Sequence, residues 1–293
     1  MILAAIDIGS NAVRLQITRV IDDGSQIAFK KVQYIRFPMR LGSDVFATGR
    51  ISDDKFKDFV LLMSTFKALI DLYKVNHYYA CATSAMREAD NAEALVAAVK
   101  ADSDLIIHII DGDLEAEIIN KVITLFLQEE SSLHIDVGGG STELNIYNGL
   151  EKSATCSFPI GTVRVLTNDD EDDTWTKINQ WISSNTFEAE QRSAIGTGGN
   201  IRKLYELAKG EKGKSITLKK LMATRELLAN MSYEERMSQL QLNADRADVI
   251  IPAADIYIRM MEQAGAKKIM VPDVGLKDGI IAYLHEQHGA KIQ

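Results

Sequence analysis

Cysteine is scarce. Cys81 and Cys156 are the only two in 293 residues, and neither lies in a paired motif. That excludes a disulfide scaffold and fits a reduced, cytoplasmic chain. No apolar run approaches the length of a bilayer span, so no membrane partner is expected. The N-terminus has no basic n-region, and Asp7 interrupts its apolar stretch, so it does not read as a signal peptide. Basic residues are outnumbered 33 to 41, a net charge of −8, which argues against a general nucleic-acid binder. A small anionic substrate would need a local cluster of Arg, Lys, backbone amides or metal.

Several catalytic signatures are also missing. The glycine turn at 196–200 does not close with Gly-Lys-Ser/Thr and does not satisfy Gly-x-Gly-x-x-Gly, so it is neither a Walker A loop nor a dinucleotide fingerprint. There is no Gly-x-Ser-x-Gly elbow and no Cys–His pairing for acyl transfer. His77, His108, His134, His285 and His288 form no ligand set, and His285-Glu286-Gln287-His288 has the wrong spacing for a zinc helix. What remains is an ordinary globular balance, 46% hydrophobic and 25% charged, in a chain long enough for two domains.

The most informative stretch is Leu133 to Ile146, LHIDVGGGSTELNI. A buried strand enters through Asp136, breaks at Gly138, Gly139 and Gly140, and resumes through Ser141, Thr142 and Glu143. Three consecutive glycines cost backbone entropy and add no packing, so they point to a turn that lets a ligand approach the amides. Such a nest suits a phosphate. Two carboxylates beside it make sense with a divalent cation between them. The N-terminus repeats the pattern: an apolar strand, Asp7, then Gly9, Ser10, Asn11 and another strand. A strand–Asp–Gly hairpin that recurs one domain length later predicts two similar domains, each offering such a hairpin to a shared cleft.

Between these hairpins the pattern alternates. Strands are predicted at 2–8, 12–20 and 26–36, a loop at 37–42, a helix at 55–74 capped by Ser52-Asp53-Asp54, and a strand at 78–82. A helix at 92–100, a strand at 105–110 and a helix at 114–128 follow. The second half repeats three strands, at 133–137, 142–147 and 151–158. The acidic run 169–173 reads as a solvated loop before a helix at 175–183. A strand at 193–196 opens into Gly196-Thr197-Gly198-Gly199-Asn200, and 209–215 reads as a polar surface loop. Helices at 217–229, 233–239 and 248–263, a strand at 268–272 and a helix at 277–287 complete an α/β pattern. The glycine turn at 196–200 precedes a helix, where free amides and the dipole favour an anion. Arg87 follows a strand in a Thr-Ser-Ala-Met-Arg turn, where a guanidinium can clamp phosphate oxygens. Glu115 lies in the first turn of a helix, with Asp111, Asp113 and Glu117 as competitors that spacing alone does not separate.

Taken together, Ile6-Asp7-Ile8-Gly9-Ser10-Asn11, Ala82-Thr83-Ser84-Ala85-Met86-Arg87-Glu88-Ala89, the Ile135–Leu144 segment, Gly196-Thr197-Gly198-Gly199-Asn200-Ile201 and Val274-Gly275-Leu276-Lys277-Asp278-Gly279 resemble the exopolyphosphatase / guanosine pentaphosphate phosphohydrolase (Ppx/GppA) family. The first and third motifs alone indicate only the wider actin, sugar kinase and Hsp70 superfamily. The Thr-Ser-Ala-x-Arg motif is the specific one. The resemblance implies an actin-like ATPase (ribonuclease H-like) fold of two similar lobes, about 1–127 and 128–276, with the last helix, about 277–293, packing back on the first. It implies Mg²⁺-dependent hydrolysis of terminal phosphate from polyphosphate or guanosine pentaphosphate.

By the same resemblance Glu115 aligns with the catalytic base, and Glu143 and Arg87 also serve the chemistry. Asp136, Glu143 and Asp7 are the metal candidates, with Mn²⁺ as an alternative ion. Gly9, Ser10, Asn11, Arg87, Gly138, Gly139, Gly140, Ser141, Gly198 and Gly199 are the phosphate candidates. Two departures stand out. Leu114 replaces the usual first glutamate of a Glu-Glu pair. The chain also stops where long members continue into helical domains, from which short substrates and distributive release are expected. A non-catalytic polyphosphate or alarmone sensor and a kinase or ATPase of the superfamily are the alternatives, and a homodimer is left open.

Overall fold

The computed structural model describes residues 1–24, 26–167, 172–185, 193–209 and 215–289. Residues 169–171 of the acidic run and 210–214 of the polar loop lie outside the described residues. The chain divides into two compact units. Unit 1 is Met1–Val122 together with the segment from Gly275 on, and unit 2 is Ile123–Val274.

Unit 1 opens with three antiparallel strands, β1 (Ile2–Ile8), β2 (Val13–Asp22) and β3 (Ile27–Phe37). Helices α1 (Leu41–Thr48) and α2 (Asp53–Leu72) follow, then β4 (His77–Ala82), α3 (Ser84–Glu88), α4 (Ala92–Ser103), β5 (Ile107–Ile109) and α5 (Gly112–Ile123). The sheet order is β3-β2-β1-β4-β5, and β4 and β5 run parallel to β1. β1 is buried along nearly its whole length, which is why its sequence is a continuous apolar run rather than an alternating one. Helix α2 buries Phe59, Leu62, Met63, Phe66 and Ile70, a helical spacing that lays one stripe on the core.

Unit 2 repeats the plan. β6 (Ser132–Val137), β7 (Thr142–Asn148) and β8 (Glu151–Phe158) form the antiparallel meander. Then come α6 (Asp172–Ser184), β9 (Ser193–Thr197), α7 (Gly199–Leu207), β10 (Ser215–Thr217), α8 (Leu218–Ala229), α9 (Tyr233–Ser238), α10 (Ala244–Ala247), α11 (Ile250–Ala264) and β11 (Lys268–Met270). The order is β10-β11-β9-β6-β7-β8, so β8-β7-β6-β9-β11 matches β3-β2-β1-β4-β5 strand for strand. Within these matched five strands β2 and β7 run against the other four, as in the ribonuclease H-like fold of actin-like ATPases, and the edge strand β10 is antiparallel to β11.

Helix α12 (Leu276–His288) returns to unit 1, where Leu276, Ile280, Ile281 and Leu284 pack with Leu3, Ala5, Val20, Ile110 and Ile118. Gly279 lets it lie directly on the backbone of α5, because a Cβ there would overlap the carbonyl of Ile118. Leu114 packs against this same apolar cluster.

Two local readings change. The stretch 37–42 is not wholly loop, since α1 begins at Leu41. Arg40 precedes it in a left-handed backbone, φ 51°, with no side-chain cap, so the usual helix-start signal is missing. The Thr-Ser-Ala-Met-Arg turn winds into the short helix α3. No helix among the described residues is long and apolar enough to cross a membrane.

Candidate active site

In unit 1 the candidate residues gather at the C-terminal ends of the parallel strands, where an open α/β sheet places its ligands. Asp7 ends β1. It faces Arg14 across the β1–β2 hairpin and accepts from that guanidinium at 2.9 Å. A Cβ on Gly9 would lie 3.3 Å from the Ala12 carbonyl, a tight contact with the backbone of the turn, and in ordinary contact with Arg14 and Asp7. Ser10 is buried, and its hydroxyl accepts from the Ala85 amide at 3.2 Å, joining the hairpin turn to α3. The carbonyls of Ser10 and Asn11 accept from Gly42 and Arg40, which fixes the turn from the α1 side.

Arg87, on α3, donates through Nη1 to the carbonyl of Ile110 at 2.7 Å and to Glu115 at 3.2 Å. Both side chains of that ion pair are largely buried. Asp111, Asp113 and Glu117 are exposed, and Asp111 is used to cap α5 through the Leu114 amide at 2.8 Å. Glu115 is therefore the acid of this helix start that meets the arginine. Cys81 is fully buried beside Asp7 in the β1–β4 register. Burial pushes its thiol well above the ordinary cysteine range, and the carboxylates of Asp7 and Glu115 push it further.

In unit 2 the glycine turn is held by its carbonyls. Gly138 O accepts from Thr162 N, Gly139 O from Val163 N and Arg164 N, and Gly140 O from Arg164 Nε at 2.7 Å. Gly138 N closes the turn on Ser141 O. Among the described residues the amides of Gly139, Gly140 and Ser141 donate to no backbone carbonyl. Carbonyls tied back and amides left over are the polarity an anion requires. Gly161 makes this packing feasible, since a Cβ there would come within 2.5 Å of Gly140 N.

Asp136 and Glu143 face each other across β6 and β7. Glu143 is buried, and one of its oxygens accepts from Ser141 at 2.6 Å and Ser157 at 3.0 Å. In the structure the Ser141 hydroxyl is thus directed to Glu143. The second glycine turn follows β9. Gly198 has φ 104°, open to glycine but strained for other residues, and a Cβ there would stand 3.2 Å from Asp136 Oδ1. Gly199 begins α7, and Arg246 Nη2 lies 3.1 Å from where its Cβ would be.

Two hard carboxylates next to phosphate-type amides suit Mg²⁺, which takes one or two protein carboxylates and keeps its other positions for water and phosphate. Among the described residues no group of three or more His, Cys, Asp or Glu side chains converges as a ready-made metal cage. Asp7 is paired with Arg14 within its own unit.

Three residues escaped sequence reasoning. Arg246 carried only the weak signal of a polar helix start. Tyr257 is fully buried on α11; its hydroxyl donates to the Thr197 carbonyl at 2.5 Å and accepts from the Val137 amide at 3.3 Å. Burial, reinforced by Asp136 and Glu143, raises its phenol well above the ordinary range. His134 is also fully buried, with Nε2 at 2.9 Å from Thr197 Oγ1 and Nδ1 at 3.0 Å from the Asn145 amide nitrogen. An amide nitrogen only donates, so Nδ1 accepts and Nε2–H donates, which assigns a neutral imidazole. Burial pushes its pKa down to about 3.

The chain matches the profile of the Ppx/GppA phosphatase family over residues 19–288. It belongs to that family. It is 30% identical to a bifunctional 3-dehydroquinate synthase/phosphatase of Fusobacterium nucleatum, across 92% of this chain and 44% of that protein. It is 27% identical to a guanosine-5'-triphosphate,3'-diphosphate pyrophosphatase of Aeromonas hydrophila, across 95% of this chain and 58% of that protein. The chain thus spans about half the length of these curated relatives. A crystal structure of the Aquifex aeolicus member of the Ppx/GppA family superposes with a TM-score of 0.76 at 28% identity, covering 98% of this chain and 99% of that one.

Proposed function

We propose that this protein hydrolyses the terminal phosphoanhydride of a polyphosphate chain or of a guanosine pentaphosphate tail. The observation that carries the reading is the 138–141 turn, with its carbonyls tied back and, among the described residues, three amides that donate to no backbone carbonyl, beside Asp136 and Glu143. The family and the pyrophosphatase name of the Aeromonas relative support it.

A loose phosphoryl transition state asks the protein mainly to position groups and neutralise charge. The amides of Gly139, Gly140 and Ser141 bind phosphate oxygens, and the α7 start at Gly198 and Gly199 does the same through its dipole. Gly9, Ser10 and Asn11 serve as the matching turn of unit 1. Arg87 binds the terminal phosphoryl oxygens. In unit 1 Glu115 accepts the proton of the attacking water as its oxygen bonds to phosphorus and the bridging P–O bond breaks. In unit 2 Glu143 is held in place by Ser141 and Ser157. Asp136 and Glu143 would hold a bound Mg²⁺, which supplies charge neutralisation on the phosphates.

The test is phosphate release by the purified chain from tripolyphosphate, long polyphosphate, guanosine pentaphosphate and ATP, with and without Mg²⁺. Release from polyphosphate or the pentaphosphate, abolished by a chelator, is expected. Turnover of ATP to ADP alone would favour a kinase or ATPase, and tight binding without turnover would favour a sensor; either overturns the proposal.

A further inference from the structure

Strands β6 and β9 run parallel, and their last paired residues are Asp136 and Thr197. One step further each strand opens into its glycine turn, and the ladder that set their spacing ends. The hydroxyl of Tyr257 lies at that point. It takes the Val137 amide of one strand end and gives its proton to the Thr197 carbonyl of the other. It thus occupies the place of the next rung of the ladder. Thr197 is gripped a second time, since its side-chain hydroxyl accepts from His134 of β6. The Asn145 and Thr155 hydrogen bonds carry this polar row across β7 and β8.

Packing alone does not call for a hydroxyl at position 257. A phenylalanine fills the same volume, whereas a fully buried phenol is tolerable only when bonded. Both partners of this one are backbone groups that flank the two glycine turns. Asp136 lies between them, its carboxylate over Gly198. We infer that Tyr257 is a positioning residue: its hydroxyl, with Thr197 and His134, sets the separation of the two phosphate-binding turns of unit 2 and so tunes substrate affinity. This rests on the phosphoanhydride reading above and adds to it a residue that touches no substrate.

The test compares Tyr257→Phe with wild type in tripolyphosphate turnover and in calorimetric binding of imidodiphosphate, whose P–N–P bridge resists hydrolysis. The ring is kept, so the unfolded fraction should stay negligible. KM and the imidodiphosphate Kd should each rise about tenfold, the factor that one hydrogen bond of positioning is worth, while kcat changes less than about threefold. Thr197→Ser keeps both bonds and should behave as wild type. A wild-type KM and Kd in Tyr257→Phe, or a fall in kcat with KM unchanged, overturns the inference. If Tyr257→Phe does not fold, Thr197→Val carries the test, since it removes only the His134 bond. The same rise in KM and Kd is then expected, and wild-type values overturn the inference. A wild type that turns over no phosphoanhydride sinks the proposed function instead, and the imidodiphosphate Kd ratio still decides the role of Tyr257.

Discussion

Arg87 holds Glu115 at 3.2 Å with the same nitrogen that bonds the carbonyl of Ile110 at 2.7 Å. One guanidinium therefore ties the residue after β5 to the first turn of α5. The pairing fixes the carboxylate's direction and keeps a cation beside it. Its largely buried setting makes the pair costly to break and weakly screened by salt.

Glu115→Gln keeps the size and one acceptor of the side chain but removes the base. We expect folding and substrate affinity to persist and kcat to fall by about 10²–10⁴. Steady-state phosphate release with a parallel binding measurement checks this. Unchanged turnover would pass the role of base to Glu143.

Gly161→Ala places a methyl group 2.5 Å from Gly140 N and 2.6 Å from Gly139 C, both backbone atoms that cannot swing aside. We expect a loss of about 1–3 kcal/mol in stability from overpacking, together with a raised KM as the 138–141 turn is displaced. Urea unfolding and phosphate-release kinetics test it. A variant with wild-type midpoint and wild-type KM contradicts the packing described here.

Gly279→Ala acts at a distance. The new methyl group meets the backbone of Ile118, one turn along α5 from Glu115. The expected result is again about 1–3 kcal/mol of destabilisation, now with kcat reduced more than KM is raised, because α5 carries the base. Thermal unfolding beside kinetics gives the answer, and an unchanged melting temperature rules it out.

His134 makes stability depend on pH. Its ordinary pKa is 6.5 and in the fold it is pushed down to about 3. Between those values the unfolded chain binds the extra proton. The contribution is therefore complete above about pH 6.5 and is lost as pH falls toward 3, with a limiting slope of about 1.4 kcal/mol per pH unit. Urea midpoints of wild type and His134→Asn at pH 7.5, 6 and 5 should converge on acidification. Parallel curves would mean that His134 does not titrate in this way.

Much of this arrangement was legible in the chain itself. β1 shows as an apolar run broken only by Asp7 next to its end, because a central strand buried on both faces needs no alternation, whereas β6 alternates and buries Ser132 and His134 with hydrogen-bond partners. The glycine turns and the repeated three-strand meander were visible for the same local reason. Helix α1 was hidden, since it starts from a left-handed Arg40 without a capping side chain. Spacing alone did not separate the four acids near the start of α5; the family resemblance pointed to Glu115, and exposure and the Arg87 contact set it apart physically. Tyr257 could not be recognised, because its partners lie 60 and 120 residues away and only tertiary packing brings them to one hydroxyl.

The two thiols divide between the two units, and their surroundings differ sharply. Cys156 is partly accessible, whereas Cys81 is sealed beneath Asp7 and Glu115 and held protonated. A thiol reagent at neutral pH should therefore label Cys156 promptly and Cys81 only during openings of unit 1. Without any engineered probe, the slow phase of labelling becomes a clock for how often the unit that carries Glu115 comes apart.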